Sequence, residues 1–218
     1  MDILLDQLVA GLRLEGDLRR DVTALLTHHG YTKTAVHCRQ VAAEARRLAV
    51  QFSADVHQAE AAGWLHDISA VVPNDRRVHA ARQWGVEVLP EEESFPTIIH
   101  QKLSVVIAKE IFGVRDEAIL SAIGCHTTLK RNASTLDKVV FLADKIAWDQ
   151  PGEPPYLKAL LAALDHSLER AALCYLDYLW QTCAILPGRR PRRLHPWAIA
   201  AHEELMRIAG PRSRSVQP

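Results

Sequence analysis

Residues 32–67 read TKTAVHCRQVAAEARRLAVQFSADVHQAEAAGWLHD. Val41, Ala45, Leu48 and Phe52 recur there at helical spacing and mark one apolar face over residues 32–52. Residues 54–67 are Ala-rich and also read as helix. His37 lies four residues before Val41, on the face of Ala45 and Leu48, and His66 follows Ala62 by four and Gly63 by three. Helical geometry therefore aims both imidazoles inward.

Upstream, residues 3–12 and 17–28 read as short amphipathic helices, with Gly16 before the second and Gly30 after it. Downstream, residues 71–96 mix Pro, Asn and charge, which predicts one short helix over 76–84 inside a loop region. Helices are expected at 98–112, 116–125 and 136–148, the last entered through Ser134 and Asp137 at capping-box spacing. A Pro-rich connector at 150–155 leads to a helical stretch over 156–182. A basic loop at 187–196, a final helix at 197–208 and a frayed tail at 211–218 follow. No alternating strand pattern of useful length occurs. The expected fold is all-α, with a helical core over residues 1–150 and a helical extension over 151–218 packed on it.

The chain has 218 residues, with Lys+Arg and Asp+Glu balanced at 26 each, so no global charge favours nucleic acid or a membrane surface. Its 48% hydrophobic and 24% charged residues are ordinary for a globular protein. Apolar runs are too short and too often charged to span a bilayer. Residues 1–11 are interrupted by Asp2, Asp6 and Gln7 and lack the basic start of a secretory leader. Cys38, Cys125, Cys174 and Cys183 form no CxxC pair, so buried thiols in a reducing, cytoplasmic compartment are expected. The run Arg189-Arg190-Pro191-Arg192-Arg193 reads as a solvated linker, and Tyr175, Tyr178 and Trp180 as packing residues.

More polar residues share inward faces. His100 lies with Leu103, Ile107 and Ile111, and His126 continues Ile119, Ala122 and Ile123. Asp144 follows Val140 by four, at the edge of an arc with Val139, Ala143 and Ile146. A buried carboxylate or imidazole is costly unless something pairs with it. Four inward histidines and two inward aspartates on separate helices need a common partner, and a cation of charge two or more is the economical one. Neighbouring helical positions diverge by about 100°, yet at a helix end His66 and Asp67 can both reach one centre, and Asp67 has two oxygens with which to bridge two ions. Such a ligand set suits Fe, Mn, Zn or Ni better than Ca or Mg, with Mg or Mn still compatible. Paired cations activate water and clamp phosphoryl oxygens, with Asp67 as the catalytic group that holds the bridge. Thr127, Thr128, Lys130 and Arg131 follow His126 and are expected to hold the remaining phosphates. His28, His29, His57, His79, His166, His195 and His202 lack supporting partners in the pattern. Most are expected at the surface, and His79 is the first candidate to support the ligands from behind.

The order His37, His66-Asp67, Asp144 resembles the H…HD…D signature of the HD superfamily of metal-dependent phosphohydrolases. The strings AEAAGWLHDIS, AILSAIGCHTT and STLDKVVFLADKI, with His100 between them, are similar to the bacterial subgroup that hydrolyses diadenosine tetraphosphate symmetrically to ADP. The resemblance covers about residues 32 to 158. It implies an HD-domain helical bundle with a dinuclear iron centre, for which Mn, Co or Mg are alternatives. One ion would fall to His37, His66, Asp67 and Asp144, and the second to His100 and His126, with Asp67 bridging. Two positions depart from the subgroup. Ala70 stands where it usually has Lys, and Ile146-Ala147-Trp148-Asp149-Gln150-Pro151 stands in place of an Ile-Glu-Pro-x-Arg segment. Both are of the kind that meets phosphates, so another phosphorylated substrate, or a nucleotide-sensing module without turnover, stays open. The expected partner is a nucleotide or other phosphorylated small molecule, with neither membrane nor nucleic acid. A homodimer is left open.

Overall fold

The computed structural model describes residues 3–185 and 194–209; the basic run 189–193, the tail 211–218 and the Cys183 side chain lie outside the described residues. The fold is all-α, with no strand among the described residues. In chain order come α1 (Ile3–Leu8), α2 (Leu18–His28), α3 (Thr32–Gln51) and α4 (Val56–Leu65). Two 3-10 turns (Ile68–Val71, Asn74–Arg76) lead to α5 (Arg77–Gln83) and α6 (Pro90–Ser94). Then follow α7 (His100–Glu110), α8 (Glu117–Cys125), α9 (Thr135–Ile146), α10 (Leu157–Leu164), α11 (Leu168–Ile185) and α12 (Pro196–Ala209).

Side-chain caps start several of these helices. Asp17, Asp55 and Asp116 each accept two backbone N–H groups of the first turn, and Ser134 and Asp137 form the expected capping box. Such caps contribute roughly 1 kcal/mol each. The structure also departs from the sequence reading. The loop region after Val72 holds α6 as well as α5, with Pro90 at its first turn. The stretch expected as one helix over 156–182 is two, because Asp165-His166-Ser167 interrupts it and the Ser167 hydroxyl accepts from Arg170 N at 3.2 Å.

The crossing of α3 and α4 positions the polar groups. A Cβ placed on Gly63 would lie 2.5 Å from Ala42 Cα and 2.8 Å from Ala42 N. Only glycine permits this approach, which seats the last turn of α4 against the face of α3 that carries Val41, Ala45 and Leu48. All three are fully buried. α9 lies across both helices, with Phe141 and Leu142 in the core. The later helices brace α9: the Phe141 and Tyr175 rings meet edge to face at 5.5 Å, and the Tyr156 hydroxyl donates to Lys145 O at 3.1 Å. Among the described residues, no helix is long and apolar enough to cross a membrane.

Candidate metal centre

Five elements deliver the six residues singled out from the sequence. His37 lies in the second turn of α3 and Asp144 in the last turn of α9, whereas His66 and His126 cap the C-terminal ends of α4 and α8 and His100 opens α7. His66 keeps helical dihedrals, but at Asp67 the chain turns off (φ −109°, ψ 17°). That departure lets two adjacent side chains face one centre, which a continuing helix forbids.

Three of the imidazoles are fixed in the same way. His66 Nδ1 donates to Gly63 O at 2.8 Å, His126 Nδ1 to Ile123 O at 2.8 Å and His100 Nδ1 to Thr97 O at 2.5 Å. A carbonyl only accepts, so each Nδ1 carries a proton and each Nε2 is left to face the centre. Those Nε2 atoms converge. His66 Nε2 is 3.3 Å from His37 Nε2, and His100 Nε2 is 2.9 Å from His126 Nε2. Two ring nitrogens that face each other inside a protein need a proton or a cation between them.

Carboxylates close both pairs. Asp144 Oδ1 is 3.1 Å from His37 Nε2 and 3.5 Å from His66 Nε2. Asp67 stands between the pairs, with Oδ2 3.6 Å from His66 Nε2, and Oδ1 3.0 Å from His100 Nε2 and 3.5 Å from His126 Nε2. Two groups able to hold a metal ion result, His37-His66-Asp67 and Asp67-His100-His126, and they share Asp67. Imidazole and carboxylate donors in this arrangement fit divalent transition metals. The His37 Nδ1 is buried without a partner.

Electrostatics are consistent with a centre built around positive charge. Burial pushes the Asp67 carboxyl up, yet the His66 and His100 charges outweigh it and hold Asp67 well below the usual range. Burial likewise opposes ionisation of Asp144, and Lys145, then His37 and His66, overcome it. The His126 pKa is lowered to about 4, chiefly by burial, so it stays the neutral imidazole a ligand must be. Exposure grades across the site: the His66 and His126 side chains are 0% and 1% exposed, while Asp67 reaches 27%. The centre therefore opens to solvent on the Asp67 side.

The loop after His126 carries the four residues expected to hold phosphates. The Thr127 hydroxyl lies 3.2 Å from His100 Nε2, at the centre. Thr128 is buried and bonded to Gln101 and to Leu129 O. Lys130 donates to Ser121 Oγ at 2.7 Å, with Asp137 at 3.7 Å, and Arg131 pairs with Glu203 of α12 at 3.1 Å. Their polar groups are committed to the protein. His79 is exposed on the wall of a cavity of about 510 Å³ beside α1. His195 is buried against Glu92 at 3.2 Å, and His202 bonds Asp177 at 2.9 Å, so neither is a free surface group.

Supporting groups escaped the sequence reading. Lys145 is buried beside its neighbour, donating to Asp144 Oδ2 at 2.5 Å and to His126 O at 3.1 Å, so one ammonium ties two ligand-bearing elements together. A lysine next to Asp144 in the apolar run VVFLADKI was the available signal. Gln101 Oε1 accepts from Thr127 N and Thr128 N and fixes the turn after His126. The fully buried Cys38 thiol adjoins His66, and burial pushes its pKa up.

Comparison with known proteins agrees with this geometry. A family model described as HD domain matches residues 34–149, which hold all six residues of the centre. The uncharacterized protein in the pepC 5' region of Lactococcus lactis subsp. cremoris is 49% identical over 148 residues, 68% of this chain and 72% of that protein. The symmetrical bis(5'-nucleosyl)-tetraphosphatase of Bacillus subtilis (strain 168) is 31% identical over 123 residues, 56% of this chain and 62% of that enzyme. This chain thus spans less than two thirds of the Bacillus enzyme's length. A crystal structure from Clostridium acetobutylicum, described as a predicted HD superfamily hydrolase involved in NAD metabolism, matches at TM-score 0.78 and 28% identity. That match covers 87% of this chain and 97% of the Clostridium chain.

Proposed function

The chain belongs to the HD domain family, and from that premise we propose that it is a metal-dependent phosphohydrolase of nucleotide-type phosphoanhydrides, with diadenosine tetraphosphate, cut symmetrically to ADP, as its first candidate substrate. The observation that carries the reading is the pair of imidazole groups whose Nε2 atoms face one another across the shared Asp67. His37, His66, Asp67 and Asp144 would hold one divalent ion, and His100, His126 and Asp67 a second. A dinuclear iron centre is the proposed form, with Mn, Co or Mg as alternatives. Bound there, a pair of divalent ions supplies activated water and neutralises phosphoryl charge.

The chain's own groups set the frame for that chemistry. Asp67 is the assigned catalytic residue because its two oxygens face both histidine pairs and its side is the open one. Lys145 keeps Asp144 ionised and aimed at His37 and His66. Of the loop groups proposed to meet substrate, the Thr127 hydroxyl lies beside His100 Nε2 and Thr128 shapes the turn. Lys130 and Arg131, still partly exposed, would reach phosphate by giving up Ser121 and Glu203. Residues 1–150 are the proposed catalytic core and 151–218 the proposed extension, of whose described helices α11 packs on α9. A reducing, cytoplasmic setting suits the buried thiols of Cys38 and Cys125.

A second reading, binding of metal and nucleotide without turnover, draws on the commitment of Lys130 and Arg131 to protein partners. A panel of dinucleoside polyphosphates, mononucleotides and a generic phosphodiester, assayed with Fe, Mn, Co and Mg in turn, separates the two. Release of ADP from diadenosine tetraphosphate supports the hydrolase. Stoichiometric metal and nucleotide binding with no product from any member of the panel would overturn it.

A further inference from the structure

We infer that Arg77 anchors a phosphate of the substrate at the open side of the centre, beside Asp67 and His100. The inference rests on the phosphohydrolase reading for the identity of the ligand, but its evidence is separate.

Arg77 opens α5, and its side chain is only partly exposed. Its Nε donates to Val72 O at 3.2 Å, while Nη1 has two long contacts, Asn74 Oδ1 at 3.5 Å and Thr97 O at 3.4 Å. Thr97 O is the same carbonyl that accepts His100 Nδ1. The guanidinium is therefore one carbonyl away from a ligand ring of the centre. Among the described residues it makes no ion pair, unlike Lys130, Arg131 and Lys145. Asp67 is near enough for its charge to act on Arg77, though burial dominates and pulls the guanidinium pKa down.

A guanidinium has five N–H donors in a fixed fork. Arg77 uses one well and another poorly, leaving Nη2 with no acceptor among the described residues. Partial burial of such a cation is costly until an anion arrives, and planar, two-point recognition of a phosphate is what this group does best. A phosphorylated ligand entering on the Asp67 side would bring that anion. The site thus supplies phosphate recognition from the segment after the HD pair, where the loop after His126 has its cations already engaged.

The test uses metal-loaded protein with ADP and inorganic pyrophosphate as probes, in calorimetry and in turnover of diadenosine tetraphosphate. Arg77→Gln should keep its metal content and weaken binding of both probes by about tenfold or more, the scale of a lost charge-assisted pair. Arg77→Lys should recover part of the affinity, since it restores charge without the fork. Unchanged probe affinity in Arg77→Gln at full metal occupancy would overturn the anchor, and would do so even if the wild type turns over every substrate offered. Conversely, a loss of probe affinity in a protein that hydrolyses nothing keeps the anchor and discards the hydrolase. If Arg77→Gln loses metal or unfolds, probe affinity of Arg77→Lys decides: equal to wild type overturns the anchor, reduced supports it.

Discussion

Two buried clusters of ionisable groups in this molecule meet the same requirement by different means. In one, Glu92 of α6 accepts from Lys102 of α7 at 2.8 Å and lies 3.2 Å from His195, just before α12. Trp197 covers the Lys102 ammonium at 5.0 Å. Anion, cation and imidazole come from three parts of the chain, and every charge has a protein partner. In the other, four Nε2 atoms crowd around Asp67 and Asp144, ring nitrogen against ring nitrogen at 3.3 and 2.9 Å, and His37 Nδ1 is left without a partner. The first cluster is complete as folded. The second is completed from outside, and that incompleteness is what marks it as a site.

The sharpest way to break the comparison is Asp67→Ala. Removing the shared carboxylate should abolish stoichiometric metal binding and lower hydrolysis on the order of 10³-fold or more, read by elemental analysis and product release. An active variant with normal metal content would sink the assignment. The matching change in the other cluster, Glu92→Ala, should leave metal content intact. It strands Lys102, so stability should fall by about 3 kcal/mol, measured by denaturant unfolding. Lys145→Met bears on the metal centre from one step back. It frees Asp144 from its cation and should cost roughly 10- to 100-fold in metal affinity or activity, measured by metal titration, with unchanged affinity as the contrary result.

Acid gives the smallest and most graded contrast. Burial pushes the Glu92 carboxyl up, but His195, the Leu89 amide and Lys102 more than compensate, so its folded pKa is lowered. A lowered carboxyl contributes stability that is present above the unfolded value, about 4.5, and is lost as pH falls through the folded value. The stability gap between wild type and Glu92→Gln should be constant near neutrality and close only below about pH 4.5. Metal retention should fail at higher pH than this, because ligands must be neutral and, against burial that lowers it, Asp67 and Asp144 hold the His66 pKa well above its ordinary value. Coincident transitions would mean the clusters are not independent.

The two clusters also differ in how far they could be read from sequence. The metal residues were legible because each lies on an apolar helical face: His37 with Val41 and Ala45, His100 with Leu103 and Ile107. The HD pair and its neighbouring strings then pointed to a family. Most helices were equally legible, and the Ser134–Asp137 cap was visible as a three-residue spacing. Glu92 was not, because it lies in a segment of PEEES whose charges resemble solvated loop, and its partner His195 is 103 residues away. The break at residues 165–167 was hidden by apolar periodicity on both sides of it. Phosphate-binding roles for Lys130 and Arg131 followed from proximity to His126 in sequence, which says nothing about Ser121 or Glu203.

By itself the sequence determined the all-α class, most of the helices, and the inward aim of five ligand-type side chains, because helical periodicity is local and repeats every few residues. Only the tertiary structure decided that Asp67 stands between two histidine pairs drawn from four helices, and which cations are already matched. Those outcomes depend on contacts between residues distant in the chain, such as the Gly63–Ala42 approach and the Lys145 bridge from Asp144 to His126 O.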